Sequence, residues 1–230
     1  MKITKEMLSA RAAKHGECSK AQLQQDVFVL LALQDKRDGY FVDVGAASGV
    51  ALSNTYLLEK LGWSGILVEP ARCWHNILLS SRRSTLDTRA AWWGSGLRLP
   101  FIEPSDAYLA SLACRADDDG FAVTRHKSAT VYDVTTVSLT DLLIEHEAPP
   151  NIDYLSLDTE GSESDILETF DFNKYRFQVI TCEHNFHKGH REKTLDLLTK
   201  NGYRRVCEDL SSFEDWFVAD LPTGTKPCLR

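Results

Sequence analysis

The sequence predicts a doubly wound α/β fold: a mostly parallel sheet with helices on both faces, closed by a C-terminal antiparallel strand pair. Three observations carry this. Short apolar runs (Tyr40-Phe41-Val42-Asp43-Val44, Gly65-Ile66-Leu67-Val68-Glu69, Ile152-Asp153-Tyr154-Leu155-Ser156-Leu157-Asp158) alternate with stretches of helical periodicity. The first run enters a turn of small residues, Gly45-Ala46-Ala47-Ser48-Gly49, and the second ends in a lone carboxylate, Glu69. Two short strand-like runs near the C-terminus, Tyr203 to Cys207 and Trp216 to Ala219, are placed to pair antiparallel.

Taken in order, Leu23, Val27, Leu30, Leu31 and Leu33 fall mostly on one face of a helix between Ser19 and Asp35. Residues 1–38 read as an N-terminal helical segment packed on the main body, 39–230. A helix is expected from Ser48 to about Leu61, stopped by Gly62. Strand Gly65 to Glu69 follows, then a helix from Ala71 to Ser81 and a third strand near Thr88 to Trp93. Residues 94–127 hold Pro100, Pro104 and Asp117-Asp118-Asp119-Gly120 with little periodicity, and read as an irregular excursion capping the site. Val131 to Leu139 alternates like a strand, and Thr140 starts a short helix that Pro149-Pro150 breaks. The strand Ile152 to Asp158, a helix from Glu163 to Phe170, a strand from Phe177 to Glu183 and a helix from His190 to Asn201 lead to the closing pair.

The chain has 230 residues, 43% hydrophobic and 26% charged, which suits one sizeable packed α/β unit rather than a disordered chain. A net charge of −7 argues against nonspecific binding to nucleic acid or an anionic membrane. No apolar run approaches the ~18 residues of a membrane span, and the N-terminus lacks an apolar signal core. Cys18, Cys73, Cys114, Cys182, Cys207 and Cys228 are dispersed and form no C-x-x-C pair, so reduced thiols in a cytoplasmic protein are expected rather than a zinc ribbon or dithiol centre.

The glycine turn and Glu69 point to a nucleoside-bearing cofactor. A turn of Gly, Ala and Ser lets a ligand approach the backbone, and a helix behind it would aim free N–H groups at that ligand. A carboxylate at the next strand tip can accept bonds from both ribose hydroxyls. Gly45, Ala46, Ser48, Gly49 and Glu69 are therefore the candidate cofactor contacts; the plainer alternatives are a tight turn and a helix-start charge.

At this point the residues resemble a known family. Val42-Asp43-Val44-Gly45-Ala46, Leu157-Asp158-Thr159-Glu160-Gly161-Ser162-Glu163 and Glu183-His184-Asn185 are similar to the motifs of FkbM-like S-adenosylmethionine-dependent methyltransferases. Gln25-Asp26-Val27, Ser53-Asn54-Thr55 and Gly202-Tyr203 add to the likeness, which runs in order from Gln22 to about Asp220. It implies a class I methyltransferase-like, Rossmann-like fold, S-adenosylmethionine as cofactor, and methyl transfer to a hydroxyl of a small molecule, sugar or glycoconjugate. By the same analogy Asp43 would hold the methionine amine; the plainer alternative is that it holds the turn itself.

Asp158, Glu160 and Glu163 cluster after a central strand. Asp158 and Glu160 fall nearer the expected cofactor–acceptor crevice and are candidate catalytic groups, whereas Glu163 suits helix capping. His184, at the tip of the following strand, is a candidate general base. Asp158, Glu183 and Asn185 could instead form an oxygen-rich site for a magnesium- or manganese-type ion. His187, His190 and Arg191 could orient an acceptor, and Trp92 or Trp93 could cover an adenine. Two other classes share part of the pattern: a nicotinamide-dependent oxidoreductase, which would want the G-x-G-x-x-G spacing that this turn lacks, and a noncatalytic binding protein on the same fold.

Overall fold

In the computed structural model, which describes residues 3–220, the first strand forms as β1 (Tyr40–Val44) and lies near the middle of the main sheet. It is preceded by α1 (Lys5–His15) and α2 (Gln25–Ala32). The chain continues through α3 (Tyr56–Lys60), β2 (Ser64–Val68), α4 (Arg72–Ser81) and β3 (Thr85–Asp87). It then makes β4 (Ala90–Trp92), β5 (Arg98–Glu103), β6 (Ser111–Leu112), α5 (Ala122–His126), β7 (Thr130–Ser138) and α6 (Leu139–Glu145). The remaining elements are β8 (Asn151–Leu157), α7 (Glu163–Glu168), β9 (Arg176–Glu183), α8 (Lys188–Lys200), β10 (Tyr203–Val206) and β11 (Glu214–Ala219).

Among the described residues the main sheet has seven strands in the order β10-β11-β9-β8-β1-β2-β3. β1 pairs parallel with both β2 and β8, and β8 pairs parallel with β9. β11 runs antiparallel between β9 and β10, as the closing pair predicts. Strand order reverses between β1 and β8: the chain steps outward through β2 and β3 on one side and through β9 on the other. Open α/β sheets bind ligands at that switch, outside the carboxyl ends of the strands.

Side-chain alternation along β1 decides which face carries what. Val42 and Val44 join Ile66, Val68, Leu155 and Leu157 in a core beneath α6, α7 and α8. Phe41 points to the opposite face, where Leu67, Tyr154 and Trp216 pack with Val27 to Leu30 of α2, Leu57 and Leu58 of α3, and Leu8 of α1.

Three features differ from the sequence expectation. The third strand of the main sheet is Thr85–Asp87, not Thr88 to Trp93; Ala90–Trp92 leaves the sheet and pairs parallel with β7. The helix expected from Ser48 starts only at Tyr56. Ala47 (φ 45°), Gly49 (φ 68°) and Leu52 (φ 62°) adopt left-handed backbone, which cannot propagate a right-handed helix. Finally, 94–127 is partly ordered β-structure: β4, β7, β5 and β6 form a four-stranded sheet over a core of Trp92, Phe101, Leu112 and Val134. Pro100 does not end β5, whose register with β7 runs unbroken from Arg98 to Glu103. Cys228 lies outside the described residues. Among the described residues no helix is long and apolar enough to cross a membrane.

Asp87 ties the end of β3 to the segments that follow β2, β3 and α6. Its carboxylate accepts from Arg89 Nε (3.0 Å) and Nη2 (2.6 Å) and from the His146 ring (2.9 Å), while its main-chain oxygen accepts from Glu69 N at 2.9 Å. Burial alone would raise this carboxyl, but the Arg89 and His146 hydrogen bonds outweigh it and hold it below its ordinary value. A carboxyl depressed on folding adds stability that is present above its unfolded value, ~3.9, and is lost as pH falls through the lower folded value. Asp87→Asn should therefore cost about 1.5–3 kcal/mol at neutral pH, a drop of about 2–4 °C in thermal midpoint per kcal/mol. Calorimetry should show that deficit shrinking below about pH 4; a deficit that does not change with pH would mean that the carboxylate charge is not what matters.

Candidate active site

The carboxyl ends of β1, β2, β8 and β9 open into a cavity of about 490 Å³. Gly45 and Asp158 line it, each directly after one of the two strands that flank the switch. Asp158 N donates to Val44 O at 3.0 Å, and a Cβ on Gly45 would stand 1.6 Å from Asp158 O. Gly45 also has φ 87°. Both facts require glycine here. Gly45 N and Ala46 N both donate to Val68 O, at 2.9 and 3.2 Å, which binds the turn to β2.

Glu69 follows β2 directly and lines the cavity, with 5% of its surface exposed. Oε2 accepts from Ala47 N and Oε1 from Ala71 N, each at 2.7 Å. Each carboxylate oxygen keeps a further acceptor site. Burial pushes this carboxyl up to about 7, against the pull of the two backbone N–H groups. Asp43 lines the cavity from the end of β1 and accepts from Thr55 Oγ1 at 2.5 Å. Burial raises its carboxyl, opposed by Thr55 and by the charge of Arg82.

The structure separates the other predicted cofactor contacts. Gly45 and Ala46 line the cavity with Ala47, but Ser48 and Gly49 are not among the lining residues. Ser48 Oγ accepts instead from Ala51 N at 3.1 Å, closing the loop on itself. Gly49 faces Leu78 and Arg82, where a Cβ would stand 2.4 Å from Leu78 Cδ2. Arg82 is fully buried and fixes the loop from behind, donating to Gly49 O (2.8 Å) and Thr55 Oγ1 (3.0 Å). Trp92 is core, Trp93 is half exposed, and neither lines the cavity.

On the opposite wall, Asp158, Glu160 and Glu183 converge. One carboxylate oxygen from each lies within 4.8 Å of the other two. Burial raises all three carboxyls, and their mutual repulsion raises Glu160 and Glu183 further. Arg125 of α5 reaches across to Glu160 Oε2 at 3.0 Å, where Asn185 Nδ2 also donates at 3.3 Å. Glu163 stands just behind the cluster. Its Oε1 accepts from Thr159 N (2.7 Å), Thr159 Oγ1 (2.8 Å) and Gly161 N (3.2 Å), so it shapes the loop that presents Glu160 rather than capping the helix it begins.

His184 is placed differently from its expectation as a base. Strand alternation puts Glu183 on the cavity wall, whereas His184 is not among the lining residues. Its Nδ1 accepts from Phe186 N at 3.0 Å, and its Nε2 lies 3.9 Å from Asp215. Burial lowers its pKa, the Asp215 charge opposing. Arg191 is likewise committed to Asp215, at 2.8 and 2.9 Å, and His187 caps α8 by accepting from His190 N at 3.2 Å. Of the acidic run, Asp117 pairs with His126 and Asp118 with Arg115. Asp119 binds Arg125 at 2.7 Å.

Arg125, Arg82 and Phe186 belong to the surroundings of the cavity and are not singled out by sequence reasoning, and Asn54 enters there only within the Ser53-Asn54-Thr55 likeness. Asn54 lines the cavity; its Nδ2 donates to Ser156 Oγ at 3.0 Å, and its Oδ1 has no partner among the described residues. Phe186, 71% exposed and at φ 60°, also lines the cavity. A basic residue at the end of a weakly periodic stretch is the only sequence trace that Arg125 leaves.

The sequence model for the methyltransferase FkbM domain matches residues 43–205. No curated protein matches the chain significantly. Similar solved structures include a candidate RNA methyltransferase from Pyrococcus horikoshii, at 11% identity and TM-score 0.44, covering 94% of this chain and 98% of that one. Another is a precorrin-6y C5,15-methyltransferase from Geobacter metallireducens, at 13% identity and TM-score 0.42, covering 85% of this chain and 87% of that one.

Arg125 holds the excursion against the crevice. Its side chain is fully buried and donates to Leu109 O (2.7 Å), Ala116 O (2.6 Å), Asp119 and Glu160. Arg125→Met would leave two buried carboxylates without their cation, which costs about 3–5 kcal/mol. Arg125→Lys cannot reproduce a fork that meets four acceptors. Both variants should lower the thermal midpoint and make residues 104–128 the first site of limited proteolysis; wild-type midpoints and cleavage patterns would contradict this role.

Proposed function

The chain belongs to the FkbM methyltransferase domain family, and from that premise we propose that it transfers the methyl group of S-adenosylmethionine to a hydroxyl oxygen of a small molecule, sugar or glycoconjugate in the cytoplasm. The observation that carries this reading is the glycine turn at Gly45, packed on Asp158, with Glu69 at the adjoining strand tip, all three lining one cavity. A nucleoside fits that arrangement. Its ribose would bond the free acceptor sites of Glu69, and Asp43 with Asn54 Oδ1 would accept from the amine. The cavity, about 490 Å³, falls in the ~300–1,000 Å³ range of cofactor pockets.

When bound, S-adenosylmethionine supplies an already activated methyl group. What remains for the protein is alignment, exclusion of water and removal of one proton. The turn at Gly45 and the Glu69 carboxylate hold the donor on the β1–β2 side. The carboxyl groups of Asp158, Glu160 and Glu183, on the β8–β9 side, face the space left for an acceptor and offer oxygens to receive the hydroxyl proton. A positioned base of this kind contributes about 10²–10⁴-fold. Tyr108, Leu109 and Phe121 of the excursion and Phe186 after β9 also line the cavity, and their rings and side chains would help keep water from the transferring carbon.

A polyanionic acceptor is disfavoured here, because the far wall is a cluster of carboxyls whose nearest cation, Arg125, is already paired with Asp119 and Glu160. Membership of a methyltransferase family also removes the nicotinamide oxidoreductase as a competing reading.

Glu69→Ala removes a charged acceptor from the donor side alone. It should weaken S-adenosylmethionine binding by about 1.5–3 kcal/mol, or about 10- to 150-fold, by titration calorimetry on protein with native near-ultraviolet circular dichroism. Unchanged affinity would remove Glu69 from the donor site. A screen of hydroxylated aglycones, sugars and glycoconjugates with methyl-labelled donor should yield a labelled ether; label found on nitrogen or carbon instead would refute the hydroxyl assignment.

A further inference from the structure

Glu183 closes β9 with 8% of its surface exposed, and its Oε2 has no hydrogen-bond partner among the described residues. It lines the cavity, where the carboxyls of Asp158 and Glu160 face it. A buried carboxylate so placed needs either a shared proton or a cation. Arg125 is not that cation: its Nη2 is divided between Asp119 at 2.7 Å and Glu160 at 3.0 Å.

The spacing suits one ion. The three carboxylate oxygens lie within 4.8 Å of one another. Two ligands on opposite sides of a hard cation, each at about 2.1–2.4 Å, stand about 4.2–4.8 Å apart. The donors are all oxygen, which favours a magnesium-, manganese- or calcium-type ion over zinc or copper. The imidazole next in sequence, His184, is turned away from the cavity with its Nδ1 already bonded to Phe186 N. Asn185 and Arg125 both bind Glu160 through Oε2, which fixes that carboxylate and leaves Oε1 to meet an ion. The expected set of Asp158, Glu183 and Asn185 is thus altered: Glu160 takes the third position and Asn185 steadies it.

We propose that Asp158, Glu160 and Glu183 bind one hard divalent cation, which seats the acceptor hydroxyl on the β8–β9 side of the crevice. Only the second half of this rests on the methyl-transfer reading. In that transfer the acceptor O–H bond breaks, with its proton passing to solvent or a carboxylate. An O–CH₃ bond forms as the donor S–CH₃ bond breaks, and a neutral thioether leaves. No electron is exchanged with an outside reagent, so the ion's task is charge and position, not redox.

The test is titration of the full chain with Mn²⁺, reading free ion by electron paramagnetic resonance, with Mg²⁺ and Ca²⁺ as competitors. One Mn²⁺ per chain, displaced by Mg²⁺ or Ca²⁺, is expected. Glu183→Gln and Asp158→Asn should each weaken binding at least tenfold, and Asp117→Asn, an exposed carboxylate elsewhere, should not. Thermal midpoints should stay level or rise in the two cluster variants, since each removes like-charge repulsion; should either fail to fold, Glu160→Gln carries the same test. No stoichiometric Mn²⁺, as a proton shared between Asp158 and Glu183 would give, overturns the proposal, and so does undiminished binding in the cluster variants. Calorimetry with S-adenosylhomocysteine on the same samples separates the two readings. Donor-site binding without Mn²⁺ binding defeats the cation alone, and Mn²⁺ binding without donor-site binding defeats the methyl-transfer reading alone.

Discussion

The approach of Gly45 to the main chain of Asp158 is the constraint on which the site depends. Two parallel strands that diverge in topology must end side by side, and at their ends no room is left for a Cβ. That contact sets the width of the crevice. It also brings Gly45, Glu69 and Asp158 to one cavity. The loop after Gly45 then has to turn back sharply. It does so through left-handed residues, a Ser48 hydroxyl closure and the buried Arg82, rather than through a helix.

A second constraint is charge. Strands β8 and β9 end in carboxyls that crowd one another, and burial makes the crowding worse. The inserted four-stranded sheet and α5 answer part of this by delivering Arg125 from outside the main sheet to Glu160. The same insertion contributes Phe101, Tyr108 and Phe121 to the cavity wall. One excursion therefore does two things: it steadies the acidic wall and covers the space where an acceptor would lie.

Much of this was legible in the residues. Short, nearly continuous apolar runs mark the main strands β1, β2, β8 and β9, because these strands are buried on both faces. Gly45 and Glu69 stood out because close backbone approach and a strand-end carboxylate leave distinct marks. Ser48 and Gly49 looked like contacts for the same reason as Gly45, but a small residue says only that space is short, not what fills it. The choice between Glu183 and His184 turned on strand register, which a one-residue shift reverses and which depends here on the pairing of Glu183 with Glu214. Arg125 was illegible: its partners are distant in sequence, and nothing local marks a buried arginine.

The central claim is that the β1–β8 crevice holds the methyl donor with its sulfur turned toward the acidic wall. A crystal structure with S-adenosylhomocysteine tests it most directly. The account predicts ribose hydroxyls on Glu69, the cofactor chain over the Gly45 backbone, and the sulfur facing the space in front of Asp158 and Glu183. A cofactor bound elsewhere, or bound here with its sulfur turned away from those carboxyls, would contradict it.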